Sequence, residues 1–358
     1  MNPSVPLARR RNTLSSALGL GEKLFSSASE RRFASAIEDG LDAVEAGLLT
    51  EMSFADNLAD VTSRYLLQAG GKRVRPTLAL LTAQLGDGNN AAVVVAAEAL
   101  EITHLASLYH DDVMDEANMR RGVPSAQNVW GNSVAILTGD LLFARASKLM
   151  SGLGERAITL QADTFERLCL GQLHETIGPR DDEDPIAHYI QVLADKTGSL
   201  IAAAAEMGVI FGNAPEEYRE PVVVFGEKIG VAFQLIDDVI DLSAREEQTG
   251  KTPGTDLRSG VSTLPVLYLR DLARTNADAA ELLTRIERDV NAANHAAPND
   301  GELAAAIAEL REHDVTRKTL DEARRWAREA VEALAPLPDG PVKNALTRFA
   351  ESIVERSN

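Results

Sequence analysis

What the chain lacks narrows its chemistry first. One of its 358 residues is cysteine, Cys169, so no disulfide framework within the chain and no cysteine zinc site can form, a pattern that suits a reducing cytosol. The six histidines are scattered, and "HETIG" (His174 to Gly178) lacks the second histidine of a zinc-protease helix. Zinc chemistry is thereby set aside. Basic residues are in deficit: 36 Lys and Arg stand against 54 Asp and Glu, a formal charge of -18. Phosphate backbones are held by an excess of Lys and Arg, so general nucleic-acid binding is not expected. Long apolar runs are also missing. "AAVVVAAEALEITHLA" (Ala91 to Ala106) is interrupted by Glu98 and Glu101, short of the roughly 18 residues of a membrane span. The chain reads as soluble and cytoplasmic.

Period-two alternation is absent as well: no convincing strand or Asn-Gly hairpin signal stands between Ile37 and Gly212. Ala and Leu recur instead at helical spacing almost throughout, which predicts an all-α chain. Breaks fall at "QAGGKRVRP" (68–76), "GDGNN" (86–90), "RRGVPSA" (120–126), "GPRDDEDP" (178–185), "GNAPEEY" (212–218), "QTGKTPGTDLRSG" (248–260) and "NHAAPNDGE" (294–302). None is long or of low complexity, so residues 31–358 read as one domain. The Arg- and Ser-rich first 30 residues admit two readings, a transit peptide or a mobile, solvated segment; Glu22 and Glu30 favour the second.

Against this background two stretches stand out. "HDDVMD" (His110 to Asp115) and "DDVID" (Asp237 to Asp241) each set two adjacent aspartates and a third three places further on inside an apolar run. On a helix of 3.6 residues per turn, positions i and i+4 lie about 40° apart. Asp111 with Asp115, and Asp237 with Asp241, therefore share a face, with Asp112 and Asp238 flanking. Unpaired buried carboxylates are costly. Their oxygens suit Mg²⁺, which keeps waters and substrate phosphates in its shell. Taken singly, each triplet could equally be a solvated helix edge; the match between two favours metal.

A cation held by so few carboxylates implies an anion to complete its shell, and basic loops supply the means to hold one. "GGKRVRP" places Lys72, Arg73 and Arg75 beside a Gly-Gly turn, where backbone can approach a ligand closely. "MRRG" adds Arg120 and Arg121, "DKTGSL" adds Lys196 and Thr197, and "TGKTPG" adds Lys251. Any one of them alone reads as surface charge; basic loops alternating with acidic helices describe a diphosphate site. His104 shares a helix with the first triplet, where a lone histidine is more often a satisfied core residue than a ligand. Gln234 lies three residues before Asp237, as an ordinary polar position or a neutral donor.

The ordered set "GGKRVRP", "HDDVMD", "MRRG", "GDLLFA", "KTGSL", "FQLIDDVID", "GTDL" and "STLPVLYL", running from Gly70 to Leu269, resembles the trans-isoprenyl diphosphate synthases, or polyprenyl synthetases. "ITHLASLYHDDVMDEA" with "WGNSVAILTGD" is similar to the longer-chain actinobacterial type that makes quinone side chains. The resemblance implies an all-α isoprenoid-synthase fold, about ten or more helices around a deep central cavity, usually as a homodimer. It implies head-to-tail condensation of isopentenyl diphosphate onto an allylic diphosphate with about two or three Mg²⁺ ions, and transient membrane contact for product release. Carried over by motif, Lys72, Arg75, His104 and Arg121 hold isopentenyl diphosphate. Arg120, Lys196, Thr197, Gln234 and Lys251 contact the allylic diphosphate or steady the developing cation. Asp111, Asp115 and Asp237 are the main metal ligands, supported by Asp112, Asp238 and Asp241. One departure stands out: "GKTPGTDLRSGVST" has Thr255 and Val261 where relatives often carry lysine.

Two rivals are weaker. A terpene cyclase normally carries a different second metal motif and does not need "GGKRVRP"; a regulatory subunit of a heteromeric synthase tends to lose one or both aspartate triplets. Product length turns on the helix before Asp111. Ala106 and Ser107 are small where short-chain members commonly place an aromatic residue, and Thr103, Ala99 and Ala96 continue that face. A chain passing down several 5.4 Å turns gives a product of roughly seven to ten isoprene units; the alternative is a shorter-chain geranylgeranyl or farnesyl diphosphate synthase.

Overall fold

The computed structural model describes residues 28–243, 253–293 and 300–356. They divide into two compact units: one comprises the residues up to Glu166 with Leu200–Gly226 and Ala333–Phe349, the other Arg167–Ser199, Glu227–Glu332 and the chain from Ala350. Both are helical, as the periodicity predicts. The N-terminal segment read as mobile lies outside the described residues up to residue 27, and helix begins at Ala28.

The first unit contains α1 (Ala28–Glu51), α2 (Asn57–Gln68), α3 (Val74–Ala83), α4 (Ala91–Met114), α5 (Ala126–Trp130) and α6 (Asn132–Leu153), with the first half of α7 (Glu155–Ile177). Their starts follow from local chemistry. Asp56 caps α2 by accepting the Leu58 and Ala59 N–H groups, and Asn90 caps α4 by accepting those of Ala92 and Val93; each cap is worth about 1 kcal/mol. Asn90 also donates its Nδ2 to the Phe211 carbonyl at 2.7 Å, pinning this end of α4 to α9 (Ser199–Phe211).

α4 is apolar on nearly every side, so it is buried on nearly every side. Ala96, Ala99, Ile102, Leu105 and Ala106 are wholly buried. By length and composition it could cross a membrane, yet 67% of its most apolar stretch is buried inside the protein, the pattern of a core helix. Its most extensive packing is along α6. A Cβ at Gly139 of α6 would stand 2.3 Å from His110 Nε2 and 3.2 Å from the Ala106 carbonyl, so only glycine permits that approach. Further toward the N-terminus of α4, Gly47 of α1 meets Glu98, whose burial, with the Glu51 carboxylate nearby, pushes its carboxyl up to about 7.

One expectation fails here. Met119–Arg120 and Val123–Pro124 pair as a short antiparallel hairpin. Its two turn residues, Arg121 and Gly122, have φ of 54° and 78°, the left-handed turn that matches strand twist. Two-residue strands are too short to show a period of two, and Arg-Gly takes the place of the usual Asn-Gly.

The second unit holds α8 (Pro185–Leu193), which runs directly into a π-helical turn, Ala194–Gly198, and the latter part of α10 (Arg219–Ser243). α11 (Thr255–Arg258), α12 (Leu264–Leu272), α13 (Ala277–Ala293), α14 (Asp300–Glu312) and nearly all of α15 (Asp314–Ala333) complete it, with the end of α16 (Pro341–Glu355). The π turn, with one extra residue inside the helical ladder, has no signature in the sequence.

Candidate active site

Each aspartate triplet lies at the C-terminal end of a long helix. Asp111 and Asp112 lie in α4, Asp115 is its C-cap, and the Asp115 N–H donates to the Asp111 carbonyl at 2.8 Å. Asp237, Asp238 and Asp241 lie in the last turns of α10, which ends at Ser243. The C-terminus of a helix carries roughly half a negative charge, so carboxylates there are disfavoured unless a cation joins them.

In the first unit Asp112 is completely buried, Asp111 half-buried and Asp115 exposed. Asp112 Oδ1 accepts Arg120 Nε at 2.6 Å, while its Oδ2 is buried with no hydrogen-bond partner. Burial raises the Asp112 carboxyl above its ordinary range despite that guanidinium. A buried oxygen left unmatched costs about 1–3 kcal/mol, and a hard cation seeks such an oxygen.

The basic groups of this unit converge on His104. Gly70 adopts φ 106°, open to glycine, and a Cβ at Gly71 would stand 2.5 Å from Arg73 Nη1 and 3.0 Å from Arg121 Nη1. The paired glycines therefore let two guanidinium groups crowd against backbone. Arg73, grouped in the sequence with Lys72 and Arg75, is taken inward: it is buried, pairs with Glu45 and with Glu101 Oε1 at 3.2 Å, and donates to the Leu67 carbonyl. Lys72 is exposed. Arg121 donates from Nη1 to the Leu66 carbonyl at 2.9 Å and to the Gly70 carbonyl. Arg75 keeps a buried Nε with no partner. Burial, with Arg121 beside it, pushes its guanidinium down to about 10 although Glu101 opposes this. His104 is held well below its ordinary value by burial and then by Arg75, Arg121, Arg120 and Arg73, so its ring is neutral at pH 7. A neutral imidazole among cations, beside an unmatched guanidinium nitrogen, has the chemistry to receive an anion. Higher on α4, Thr103, Ala106 and Ser107 are all buried; Thr103 Oγ1 donates to the Ala99 carbonyl and Ser107 Oγ to that of His104.

In the second unit Asp238 is the buried member, and its partner is neutral. The Tyr189 hydroxyl donates to Asp238 Oδ2 at 2.8 Å. Burial, reinforced by Asp256 and Asp237, pushes the Asp238 carboxyl up to about 8 despite Tyr189 and the Leu264 N–H. Asp241 accepts the Asp256 N–H at 3.2 Å, and its carbonyl accepts the Gly254 N–H at 2.9 Å, which fastens the "GTDL" segment to the triplet. Asp237 Oδ1 lies 3.3 Å from Arg356, whose guanidinium also covers the Phe233 ring at 4.9 Å. Gln234 is half-buried on the same helix. Lys196 and Thr197 project from the π turn, and Lys196 Nζ donates to Glu175 Oε2 at 2.5 Å. Lys251 lies outside the described residues.

Among the described residues no three His, Cys, Asp or Glu side chains form a closed metal cage. Each triplet sets three carboxylates along one stretch of helix, a donor set that suits an ion drawing its other ligands from water and phosphate. The structure adds three residues that sequence reasoning missed. Glu101 was visible as a break in an apolar run. Tyr189 and Arg356 gave no signal, since the Asp238 and Asp237 carboxylates they meet lie tens of residues away in the chain.

The profile of the polyprenyl synthetase family matches residues 56–298. The chain belongs to the polyprenyl synthetase family. It is 42% identical to nonaprenyl diphosphate synthase of Mycobacterium tuberculosis over 325 residues, 90% of this chain and 94% of that protein. Among solved structures it is similar to a geranylgeranyl pyrophosphate synthase from Corynebacterium glutamicum complexed with calcium and isoprenyl diphosphate. That likeness has a TM-score of 0.78 and 40% identity, over 93% of this chain and 99% of that one. A decaprenyl diphosphate synthase from Rhodobacter capsulatus also superposes with a TM-score of 0.78, at 32% identity, over 92% and 99% of the two chains. The fold is accordingly the all-α isoprenoid-synthase fold, and this synthetase is a prenyltransferase that makes polyprenyl diphosphates.

Proposed function

We propose that this synthetase condenses isopentenyl diphosphate head-to-tail onto an allylic diphosphate, with Mg²⁺, to give a long all-trans polyprenyl diphosphate of the heptaprenyl to decaprenyl range. The observation that carries the reading is the buried, unmatched Asp112 Oδ2 in the last turn of α4, in the same unit as the unmatched Arg75 Nε: a cation place and an anion place in the motif order of the family. Both triplets belong to the metal site in this reading, Asp111, Asp115 and Asp237 as main ligands and Asp112, Asp238 and Asp241 in support. Bound Mg²⁺ neutralises the charge that gathers on the leaving diphosphate.

The chain's own groups do the rest. Lys72, Arg75 and Arg121 bind the diphosphate of isopentenyl diphosphate, and neutral His104 serves it as a hydrogen-bonding group without adding charge. Arg120, Lys196, Thr197, Gln234 and Lys251 contact the allylic diphosphate or steady the developing cation as its C–O bond ionises, the second role falling to the neutral oxygens of Thr197 and Gln234. Buried apolar walls keep water from the cation. Residues 31–358 act as one catalytic domain, a reading supported by a family match that spans parts of both units.

Long product is supported by small residues at Ala106 and Ser107 and by the nonaprenyl relative. A quinone side chain is the use we infer, in a cytoplasmic enzyme that meets a membrane only to release product. A homodimer is supported by exposed apolar side chains at Ile136 and Leu137 of α6. The test is incubation of the purified chain alone with isopentenyl diphosphate, an allylic starter and Mg²⁺, with and without chelator, and chromatography of the products. Ala106→Phe is expected to shorten the product to about three or four units, since an aromatic ring fills space a small residue leaves. Unchanged length in a stably folded variant would remove α4 from the wall of the product channel, and no product from the wild-type chain would remove the catalytic reading.

A further inference from the structure

The π turn Ala194–Gly198 has supports that the reaction does not by itself account for. Asp195 is 8% exposed, and both its carboxylate oxygens are taken: Oδ1 by Arg167 Nε at 2.5 Å and Oδ2 by Gln191 Nε2 at 2.9 Å. Arg167 reaches further, with Nη1 donating to Glu227 Oε2 at 2.6 Å. One guanidinium of α7 thus ties the π turn to α10. Around this bridge the backbones touch. A Cβ at Gly171 would stand 2.9 Å from the Lys196 amide nitrogen, one at Gly198 would stand 2.9 Å from the Glu227 carbonyl, and one at Gly230 would stand 2.5 Å from the Gly198 Cα. Three glycines on three segments seat the turn between α7 and α10, with the Arg167–Asp195–Glu227 bridge at its edge.

The geometry makes this seating consequential. A π turn carries one residue more than an α turn, so the helix beyond the insertion is rotated by about 100° relative to a continuous α-helix. Lys196 and Thr197 lie inside the turn, next to Asp195. If the turn relaxed to α-helical register, both would point elsewhere. The extra residue costs helical hydrogen-bond geometry, so the turn persists only while its surroundings hold it.

We propose that Asp195, Arg167 and Glu227 are positioning residues: their bridge holds the π turn that aims Lys196 and Thr197 at the allylic diphosphate. The proposal rests on the reading of Lys196 as an allylic contact. The experiment measures steady-state constants for both substrates with the full chain carrying Lys196→Ala, Asp195→Asn, Arg167→Met, Arg167→Lys, or Asp195→Asn with Lys196→Ala. Asp195→Asn is expected to raise KM for the allylic diphosphate about tenfold, with KM for isopentenyl diphosphate within about twofold of wild type. Added to Lys196→Ala it is expected to cost little more, because two residues acting through one contact are not additive. Arg167→Lys, which keeps a cation opposite Asp195, is expected to recover most of the loss seen in Arg167→Met.

Unchanged allylic KM in Asp195→Asn, or full additivity in the double variant, overturns the proposal while leaving Lys196 its role. If Lys196→Ala itself spares the allylic KM, the underlying reading of Lys196 falls and the proposal falls with it. Should Asp195→Asn fail to give folded protein by circular dichroism, the two Arg167 variants decide on the same criterion: equal allylic KM in both, at the wild-type value, overturns it.

Discussion

The two aspartate triplets are nearly the same word in the sequence and are held in different ways. At the end of α4 the buried member, Asp112, faces a full positive charge on Arg120 and still leaves one oxygen unmatched. At the end of α10 the buried member, Asp238, faces a phenol and a backbone amide, and burial pushes its carboxyl up to about 8. At the first triplet a resident cation opposes the burial that raises the Asp112 carboxyl. The second is held by neutral donors that accommodate either protonation state, and the Arg356 guanidinium lies on the more exposed Asp237 instead. Equal spacing in sequence therefore does not imply equal electrostatics.

The comparison breaks most visibly in activity, at the outer carboxylates proposed as metal ligands. In the proposed reading Asp111→Ala and Asp237→Ala are each expected to lower kcat by roughly a thousandfold, because each removes charge that would stabilise the transition state. Near wild-type turnover in one of them at limiting Mg²⁺ would mean that only the other triplet serves the reaction. The buried members sharpen the contrast in stability. Asp112→Asn leaves Arg120 without its counter-charge and is expected to cost about 2 kcal/mol, whereas Asp238→Asn keeps an acceptor for Tyr189 and is expected to cost under about 1 kcal/mol. Denaturant unfolding without added metal measures both, and equal losses would erase the distinction between a charged and a neutral partner.

Smaller effects are expected from the partners themselves. Tyr189→Phe removes one hydrogen bond from Asp238, a loss of about 1 kcal/mol in the same unfolding assay; no loss would show that the Leu264 amide suffices. Arg356→Ala is expected to change stability by about 0.5 kcal/mol or less, since both partners are about a third or more exposed and water screens the pair. A larger loss would make the end of the chain a structural support of the second triplet.

Much of this was legible in the residues alone. Helical periodicity from Ala and Leu, the Gly- and Pro-marked breaks and the ordered motifs are local patterns, and local patterns survive in a one-dimensional string. The class of fold, the carboxylate rows at helix positions i and i+4, and the neighbouring basic loops follow from them. Other features depend on what meets what across long separations. Arg73 looked like a member of the anion-binding loop until Glu45 and Glu101 drew it inward. The Arg-Gly hairpin was too short to show a period. The π turn has no propensity signature, because it is held by Arg167 from 28 residues away and by glycines whose need lies in their neighbours. The sequence by itself determined that this is a helical protein with two acidic helix ends and basic loops between them. Only the tertiary structure decided which carboxylates are buried, which are matched by charge and which by a hydroxyl, because burial and counter-charge belong to pairs of distant residues and are not written in either one.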